Sequence, residues 1–349
     1  MEEVKTPKKK ISKKKKFIIV LASILVLLFG SGAFLLYGPY AGFRNFWITS
    51  AMTTMTHQWL AKMFYSDATI KKVLAANSII ESKETSNPDL ITIKDYDSST
   101  TTIYKNQYEK EILTKDEGND LYKVINITGD NYKGFLVAIY KPSKVKLAVT
   151  KYLGTKGEAI TTVAKRENAV VAINGGGFYD PDWNSNGALP HGIVIKDGKV
   201  ISEYQEAQMG GGFIGFTPDN KFVLGKMSKE KALATYRDAL EFGPFLIVNG
   251  KASFVKGNGG WGIAPRTAIG QRQDGIVLFL IINGRLTTSL GADMVDLTEV
   301  MQNYGAYNAA NLDGGSSTEL VINNKIVNTP VAGGTNGLRD MPTFWIVTA

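Results

Sequence analysis

The chain has 349 residues, 44% hydrophobic and 21% charged, an ordinary globular composition, and its lack of Cys excludes disulfides and a thiolate nucleophile. The net charge of +8 is concentrated at one end: residues 1–16 hold eight Lys against two Glu, which is +6, and leaves +2 for the rest. A basic block that stops where an apolar run begins is a membrane-topology signal and not a nucleic-acid footprint, so no nucleic-acid partner is expected.

Phe17–Tyr37 carries no charge and is long enough to cross a bilayer core of about 30 Å at about 1.5 Å per residue. A cleaved signal peptide is the alternative, but its apolar region runs only about 7–15 residues, and Ser31-Gly32-Ala33 is a weak cleavage site. The reading is a single-pass anchor with a cytoplasmic N-terminus and everything after Tyr40 on the outer side of the cell membrane. Residues 45–75 read as one helix, because Ile48, Met52, Met55, Trp59 and Met63 recur at three- and four-residue steps. His57 within it has no partner motif. Residues 81–119 are rich in Ser, Thr, Asn, Asp and Lys and read as a connector.

From about residue 120 the pattern changes to short apolar runs divided by turns such as Asp-Gly-Lys at 197–199 and Asn-Gly-Arg at 283–285. Strands are predicted over 121–127, 134–140, 145–150, 169–173, 192–195, 212–216, 242–248, 266–270, 275–282, 306–311, 318–322 and 341–347. Helices are predicted over 156–167, 228–239 and 293–303, the last capped by Asp293 and Asp296. The fold class is therefore α+β, a mixed or antiparallel sheet domain with flanking helices after one transmembrane helix. The organisation is a basic tail over 1–16, a span over 17–37, a juxtamembrane helix and polar linker over 38–119, and a functional domain over 120–349.

Four segments carry candidate chemistry. In Ala-Ile-Asn-Gly-Gly-Gly-Phe-Tyr-Asp, 172–180, a strand delivers Asn174 to its end, and Gly175 and Gly176 then let a ligand approach the backbone. In Asn-Leu-Asp-Gly-Gly-Ser-Ser-Thr-Glu, 311–319, Asp313 enters a turn of Gly314, Gly315, Ser316 and Ser317, a set suited to a general base beside an anionic or polyhydroxylated ligand. Its plain alternative is a hairpin turn whose Asp and Ser satisfy backbone amides. Arg266 and Thr267 follow Pro265 at a strand start, and Arg339 precedes the last strand; both Arg are candidate phosphate partners or surface ion-pair residues. His191 stands at a strand start near the first glycine run, as a ligand contact or a structural His. Asp180, Asp182, Asn184 and Asn186 supply side-chain oxygens over seven residues. The EF-hand pattern fails at Ile193, where a bidentate Glu belongs, which leaves an irregular Ca2+ loop as the metal candidate and no certain cofactor.

Taken in order, the segments at 172–178, 243–250, 265–270, 283–285 and 311–318, with Arg339 after them, resemble the phosphodiester glycosidase family, to which N-acetylglucosamine-1-phosphodiester α-N-acetylglucosaminidase belongs. The resemblance covers about residues 120–349. It implies hydrolysis of a sugar–phosphate link, and bacterial members with an N-terminal anchor are often labelled exopolysaccharide-biosynthesis proteins. The family's Asp-Gly-Gly-Gly-Ser-Ser run is one Gly shorter here, and the Cys-rich modules of the animal enzyme have no counterpart in a chain without Cys, so no lysosomal role carries over.

A phosphate monoester leaves readily, so one carboxylate suffices where most glycosidases need two. Asp313 is expected to activate water at the anomeric carbon, with Arg266 and Arg339 clamping phosphate and Asn174, Thr267, Ser316 and Ser317 holding hydroxyl or phosphate oxygens. The expected partner is a sugar-phosphate or phosphate-linked glycan of the cell surface or an exopolysaccharide. The rival reading is a non-catalytic module that binds a phosphate-linked envelope polymer.

Overall fold

The computed structural model describes residues 12–54, 57–94, 103–180, 185–204, 212–331 and 337–349. Its helices, in chain order, are α1 (Lys13–Tyr37), α2 (Ala41–Met52), α3 (Gln58–Lys62), α4 (Asp67–Ala76), α5 (Gln107–Leu113), α6 (Ile160–Arg166), α7 (Lys229–Thr235) and α8 (Met294–Asn303). Helix α1 is the one among the described residues long and apolar enough to cross a membrane, with a mean hydropathy of 2.6 over its most apolar window and no buried residue. Its N-cap is Ser12, whose side chain accepts from the Lys15 N–H.

Three antiparallel sheets make the body. A seven-stranded sheet includes Lys133–Ile139, Val277–Ile282, Arg266–Arg272, Ala306–Asn311 and Phe245–Val248; one five-stranded sheet includes Ala169–Asn174, Thr343–Thr348 and Val145–Val149; the other includes Gly212–Phe216, Asp238–Phe242 and Gly192–Lys196. One apolar core joins all three: Val137 and Ile269 from the first, Val171 and Trp345 from the second, Ile214 and Leu240 from the third. Helices cover outer faces. Met294, Leu297 and Met301 of α8 pack on Ala268, Leu280 and Ala309, and Ile160, Val163 and Ala164 of α6 pack on Ala172 and Phe344. The fold class is the expected α+β, with the sheets antiparallel throughout the described pairings.

Helix α8 starts at the expected cap: Asp293 accepts from the N–H groups of Val295 and Asp296, and the Asp296 carboxylate accepts from the Asp293 N–H. The run read as one strand over 242–248 is two strands in different sheets, because Pro244 has no N–H to extend a ladder. The helix read over 228–239 stops at Thr235, since Asp238–Phe242 pairs with two strands of its sheet. The helix read over 45–75 is three short helices, α2–α4, with Ser66 capping the third, around a small core of Ile48, Ala61, Tyr65, Ile70 and Val73.

Described parts of the chain around and within the stretch read as a connector, 81–119, lie on the domain. Ser78–Ile80 pairs antiparallel with Phe254–Lys256. Ser86 exchanges hydrogen bonds with Leu224, and the Phe245 N–H donates to the Glu81 carboxylate at 2.6 Å. Ile112 of α5 is fully buried under the seven-stranded sheet, where its carbonyl accepts from the Tyr140 hydroxyl. Burying such a side chain is worth about 2–5 kcal/mol on truncation to Ala. A chain beginning at residue 120 is therefore predicted to melt about 5 °C or more below one beginning at residue 41. Equal melting temperatures by differential scanning calorimetry would return residues 81–119 to a passive connector.

Candidate active site

The sheet registers bring four segments to one rim. Asn174, the last residue of its strand, sits opposite Phe344, and Asn311, the last of its own, sits opposite Ala268. The Asn174 side chain, fully buried, ties three of them together. Its amide donates to the Asp313 carbonyl at 2.6 Å, and its carbonyl accepts from the Thr267 hydroxyl at 2.7 Å. The Asp313 N–H in turn donates to the Gly175 carbonyl. Gly175 and Gly314 are Gly because the chain is crowded there: a Cβ on Gly175 would stand 2.5 Å from the Thr343 hydroxyl, and one on Gly314 2.8 Å from the Pro265 carbonyl.

Beyond this rim lies a cavity of about 500 Å3 whose lining includes Asp313, Arg266, Arg285, Arg339, Asp180 and Ser316. The Asp313 carboxylate is half-buried and accepts from the Gly314 N–H at 3.0 Å. Burial pushes its pKa above the usual carboxylate range, against the Ser317 hydroxyl, the Arg339 charge and the Gly314 N–H, which pull it down. Ser317 is close enough to exert that pull but is not aligned for a hydrogen bond of ordinary geometry.

Three guanidinium groups face the same space. Arg266, 4% exposed, is held by three backbone carbonyls: Nε donates to Ala292, and Nη2 to Trp261 and Gly262. Its Nη1 lies on the Gly314 side. Burial pushes its pKa down to about 10, which leaves it a full cation at neutral pH with no carboxylate within ion-pair distance among the described residues. Arg339 pairs with the Asp180 carboxylate, donates to the Ser316 hydroxyl at 2.8 Å, and lies over the Phe178 ring. Arg285 stands in the left-handed region, at φ 56°, with its guanidinium beside Gly315. A long side chain in that conformation is uncommon and marks a position set by something other than local preference. With Asp313 and Asp180 as the acids, the lining carries an excess of positive charge suited to an anionic ligand.

The family model for Phosphodiester glycosidase matches residues 167–348, slightly more than half of the chain. This chain belongs to the phosphodiester glycosidase family. The SPbeta prophage-derived uncharacterized protein YomE of Bacillus subtilis (strain 168) is 31% identical over 189 residues, 51% of this chain and 28% of that protein. The N-acetylglucosamine-1-phosphodiester alpha-N-acetylglucosaminidases of Bos taurus and Homo sapiens are 27% and 28% identical, each over 49% of this chain and 34% and 35% of their own length. The chain thus spans about a third of the length of these relatives. Among solved structures, the catalytic domain of the zebrafish N-acetylglucosamine-1-phosphodiester alpha-N-acetylglucosaminidase, auto-inhibited by its pro-peptide, superposes with a TM-score of 0.52 at 20% identity, covering 67% of this chain and 86% of that one. This last likeness is one of fold.

Around the cavity, the expected residues separate into two groups. Asp313, Arg266, Gly314, Gly315, Ser316 and Arg339 line the cavity. Asn174, Thr267, Gly175 and Gly176 stand behind it: the first two are fully buried and hydrogen-bonded to each other, and the two Gly pack on Thr343 and Leu240. The Asn174 amide and the Thr267 hydroxyl are already bonded inside the protein, where they hold the Asp313 backbone and each other. Ser317 is buried next to Asp313, and His191 holds the Gly177 carbonyl through its backbone N–H while its ring stacks on Tyr204. Arg339, a candidate phosphate partner or ion-pair residue by sequence, is paired with Asp180.

The same pair bears on the metal reading. Asp182 and Asn184 lie outside the described residues. Asp180 accepts from the Ser185 N–H and from Arg339, and the Asn186 amide donates to the Thr155 carbonyl. A carboxylate already neutralised by a guanidinium is a poor ligand for a second cation.

Two acid–base features escape the sequence. Arg285 reads as the end of an Asn-Gly-Arg turn, and the resemblance that includes 283–285 gives it no role. Glu319 is fully buried, with Oε1 accepting the Arg339 N–H at 2.9 Å and Oε2 without a partner among the described residues. Burial pushes its pKa up to about 8. A raised carboxyl pKa favours the protonated folded state, so this contribution to stability is complete below the unfolded value of about 4.3 and is lost as pH rises through about 8. Glu319→Gln is predicted to flatten the fall in melting temperature between pH 5 and 8, read by a pH series of thermal melts. An unchanged slope would show that Glu319 is ionised in the fold.

Proposed function

We propose that this chain hydrolyses a sugar-1-phosphodiester by attack of water at the anomeric carbon, on the outer side of a membrane that α1 crosses with its Lys-rich end in the cytoplasm. The observation that carries the reading is the convergence of one carboxylate, Asp313, with the cations of Arg266 and Arg285 on the wall of a cavity of about 500 Å3, a volume in the range of small-molecule sites. Membership of the family supports it, as do the activities named for the Bos taurus and Homo sapiens relatives.

In the step, the Asp313 carboxylate takes a proton from water while the water oxygen bonds to the anomeric carbon. The bond from that carbon to the phosphate oxygen breaks, and a phosphate monoester leaves with the electron pair. Its second pKa of about 6 makes it a stable leaving group that needs charge stabilisation more than a proton. Arg266 supplies that charge from a fixed position, since three carbonyls hold it before substrate arrives and little reorganisation remains. Arg285 adds a second cation, while Arg339, paired with Asp180, orients Ser316.

Asp313→Asn is expected to lower kcat by about 10²–10⁴ on the methyl phosphodiester of N-acetylglucosamine 1-phosphate, with the melting temperature and ligand binding retained. The wild-type rate should fall as pH drops through the raised pKa of Asp313, so the acidic limb stands above the ordinary Asp value of about 3.9 and disappears in the variant. A folded variant with near-normal turnover would remove Asp313 as the base. Arg266→Lys should reduce kcat/KM by about tenfold or more, because an ammonium group cannot bond three carbonyls and also face phosphate. Hydrolysis in 18O-labelled water should place the label in the sugar hydroxyl; label in the phosphate would mean attack at phosphorus instead.

A further inference from the structure

The site has a second half that the hydrolytic reading does not use. Another part of the cavity wall is apolar: Phe46, Trp47 and Ala51 of α2 and Leu60 of α3 line it, joined by Ile263 and by Trp261, whose ring adjoins the Arg266 guanidinium. This wall is attached at both ends. On the domain side, the Asn258 amide donates to the Thr49 hydroxyl at 2.8 Å, the Thr53 hydroxyl to the Trp261 carbonyl at 3.4 Å, and Gly262 lets α2 approach, since its Cβ would stand 2.5 Å from Ser50 Oγ. On the other side, the last turn of α1 is clamped to the turn between α3 and α4. The Tyr37 hydroxyl donates to the Phe64 carbonyl at 3.1 Å, and the Tyr65 hydroxyl to the Leu36 carbonyl at 2.9 Å.

The geometry limits how far the cavity lies from the bilayer. Three residues separate Tyr37 from Ala41, the first residue of α2, and Phe46 is five residues further along that helix. The path is at most about 20 Å, from about 3.5 Å per extended residue and about 1.5 Å per helical one. The outer surface of the same segment exposes Tyr40 (59%), Phe46 (38%), Trp59 (53%) and Met63 (63%). Aromatic residues beside the end of a span are the usual occupants of the headgroup layer.

We propose that the substrate is membrane-borne: a sugar 1-phosphate whose second ester is to a long-chain hydrocarbon alcohol held in the outer leaflet. This rests on the hydrolytic reading above. The sugar and phosphate enter the half lined by Arg266, Arg285 and Asp313, and the hydrocarbon runs along Phe46, Trp47 and Leu60 towards the bilayer. Both halves are matched in chemistry, cations to phosphodiester and apolar wall to chain. In the reaction, water oxygen bonds to the anomeric carbon, Asp313 takes its proton, and the alkyl phosphate leaves and stays in the leaflet, while the free sugar departs into water.

The test uses the full chain in phosphatidylcholine nanodiscs with two probes, the farnesyl and the methyl phosphodiesters of N-acetylglucosamine 1-phosphate. Several methylenes buried at about 0.8 kcal/mol each predict a kcat/KM for the farnesyl ester about tenfold or more above the methyl ester. Phe46→Ser and Trp47→Ser should bring that ratio towards one. Ala51→Phe, which fills the wall without removing apolar surface, should raise the farnesyl KM and serves if the Ser variants fail to fold. Hydrolysis of both esters at equal kcat/KM would overturn the lipid proposal and leave the hydrolytic reading standing. A rise in methyl-ester rate with Phe46→Ser and no farnesyl preference would make the wall a lid. No hydrolysis of either probe by folded protein would overturn both readings.

Discussion

The buried amide of Asn174 is the contact on which the site depends. Three chain segments far apart in sequence end at one rim of the sheets, and each must hold a functional group still: Thr267 follows Arg266, Asp313 follows the strand Ala306–Asn311, and Asn174 ends its own strand. One side chain bonds two of them, as donor to the Asp313 carbonyl and acceptor from Thr267. Because the group is fully buried, neither bond can be replaced by water, and loss of either would leave an unpaired polar atom in the interior. The Gly at 175 and 314 follow from the same constraint, since the segments approach more closely than any side chain allows.

Charge at the rim follows from how each group is buried. Arg266 retains its cation in a nearly dry place because backbone carbonyls, and no carboxylate, receive its N–H groups. Its charge therefore remains uncancelled, in contrast to Arg339, whose charge Asp180 offsets. The same desolvation raises the pKa of Asp313 and, further from the cavity, that of Glu319. An anion entering the cavity would offset the cations and, as a like charge, favour the acid form of Asp313 further, so ligand charge and site protonation are linked.

The helices after α1 connect two environments. Their small core of Ile48, Ala61, Tyr65, Ile70 and Val73 is separate from the sheet core, yet α2 contributes wall to the cavity and α4 leads into a strand paired with Phe254–Lys256. The glycines at 257–262 make this docking close: Gly260 and Gly262 both have positive φ, and both face backbone or side chain of the N-terminal segment within 2.5 Å of where a Cβ would be. The position of the cavity relative to the end of α1 is thereby set by packing and not by a flexible tether.

Local pattern was enough for much of this. The alternating apolar runs between Asn-Gly and Asp-Gly turns located the strands that supply the rim, the uncharged run after the lysines located α1, and Asp293 and Asp296 located the start of α8. The Asp-Gly-Gly-Ser-Ser and Pro-Arg-Thr segments pointed to residues of which Arg266, Asp313 and Ser316 line the cavity, because side-chain-free backbone at a strand end leaves room for a ligand to approach. What local pattern could not decide is anything set by a partner distant in the chain. Whether Asn174 faces ligand or the back of Asp313 depends on a contact 139 residues away, and Arg339 is neutral or free according to Asp180, 159 residues before it. The polar stretch at 81–119 reads as a linker by composition, yet Glu81, Ser86 and Ile112 are fixed by strands that follow much later. Residue type and spacing determine which elements form and which groups stand at their ends; only tertiary packing decides which of those groups are buried against each other and which remain open to a ligand, because burial and charge pairing belong to neighbours in space.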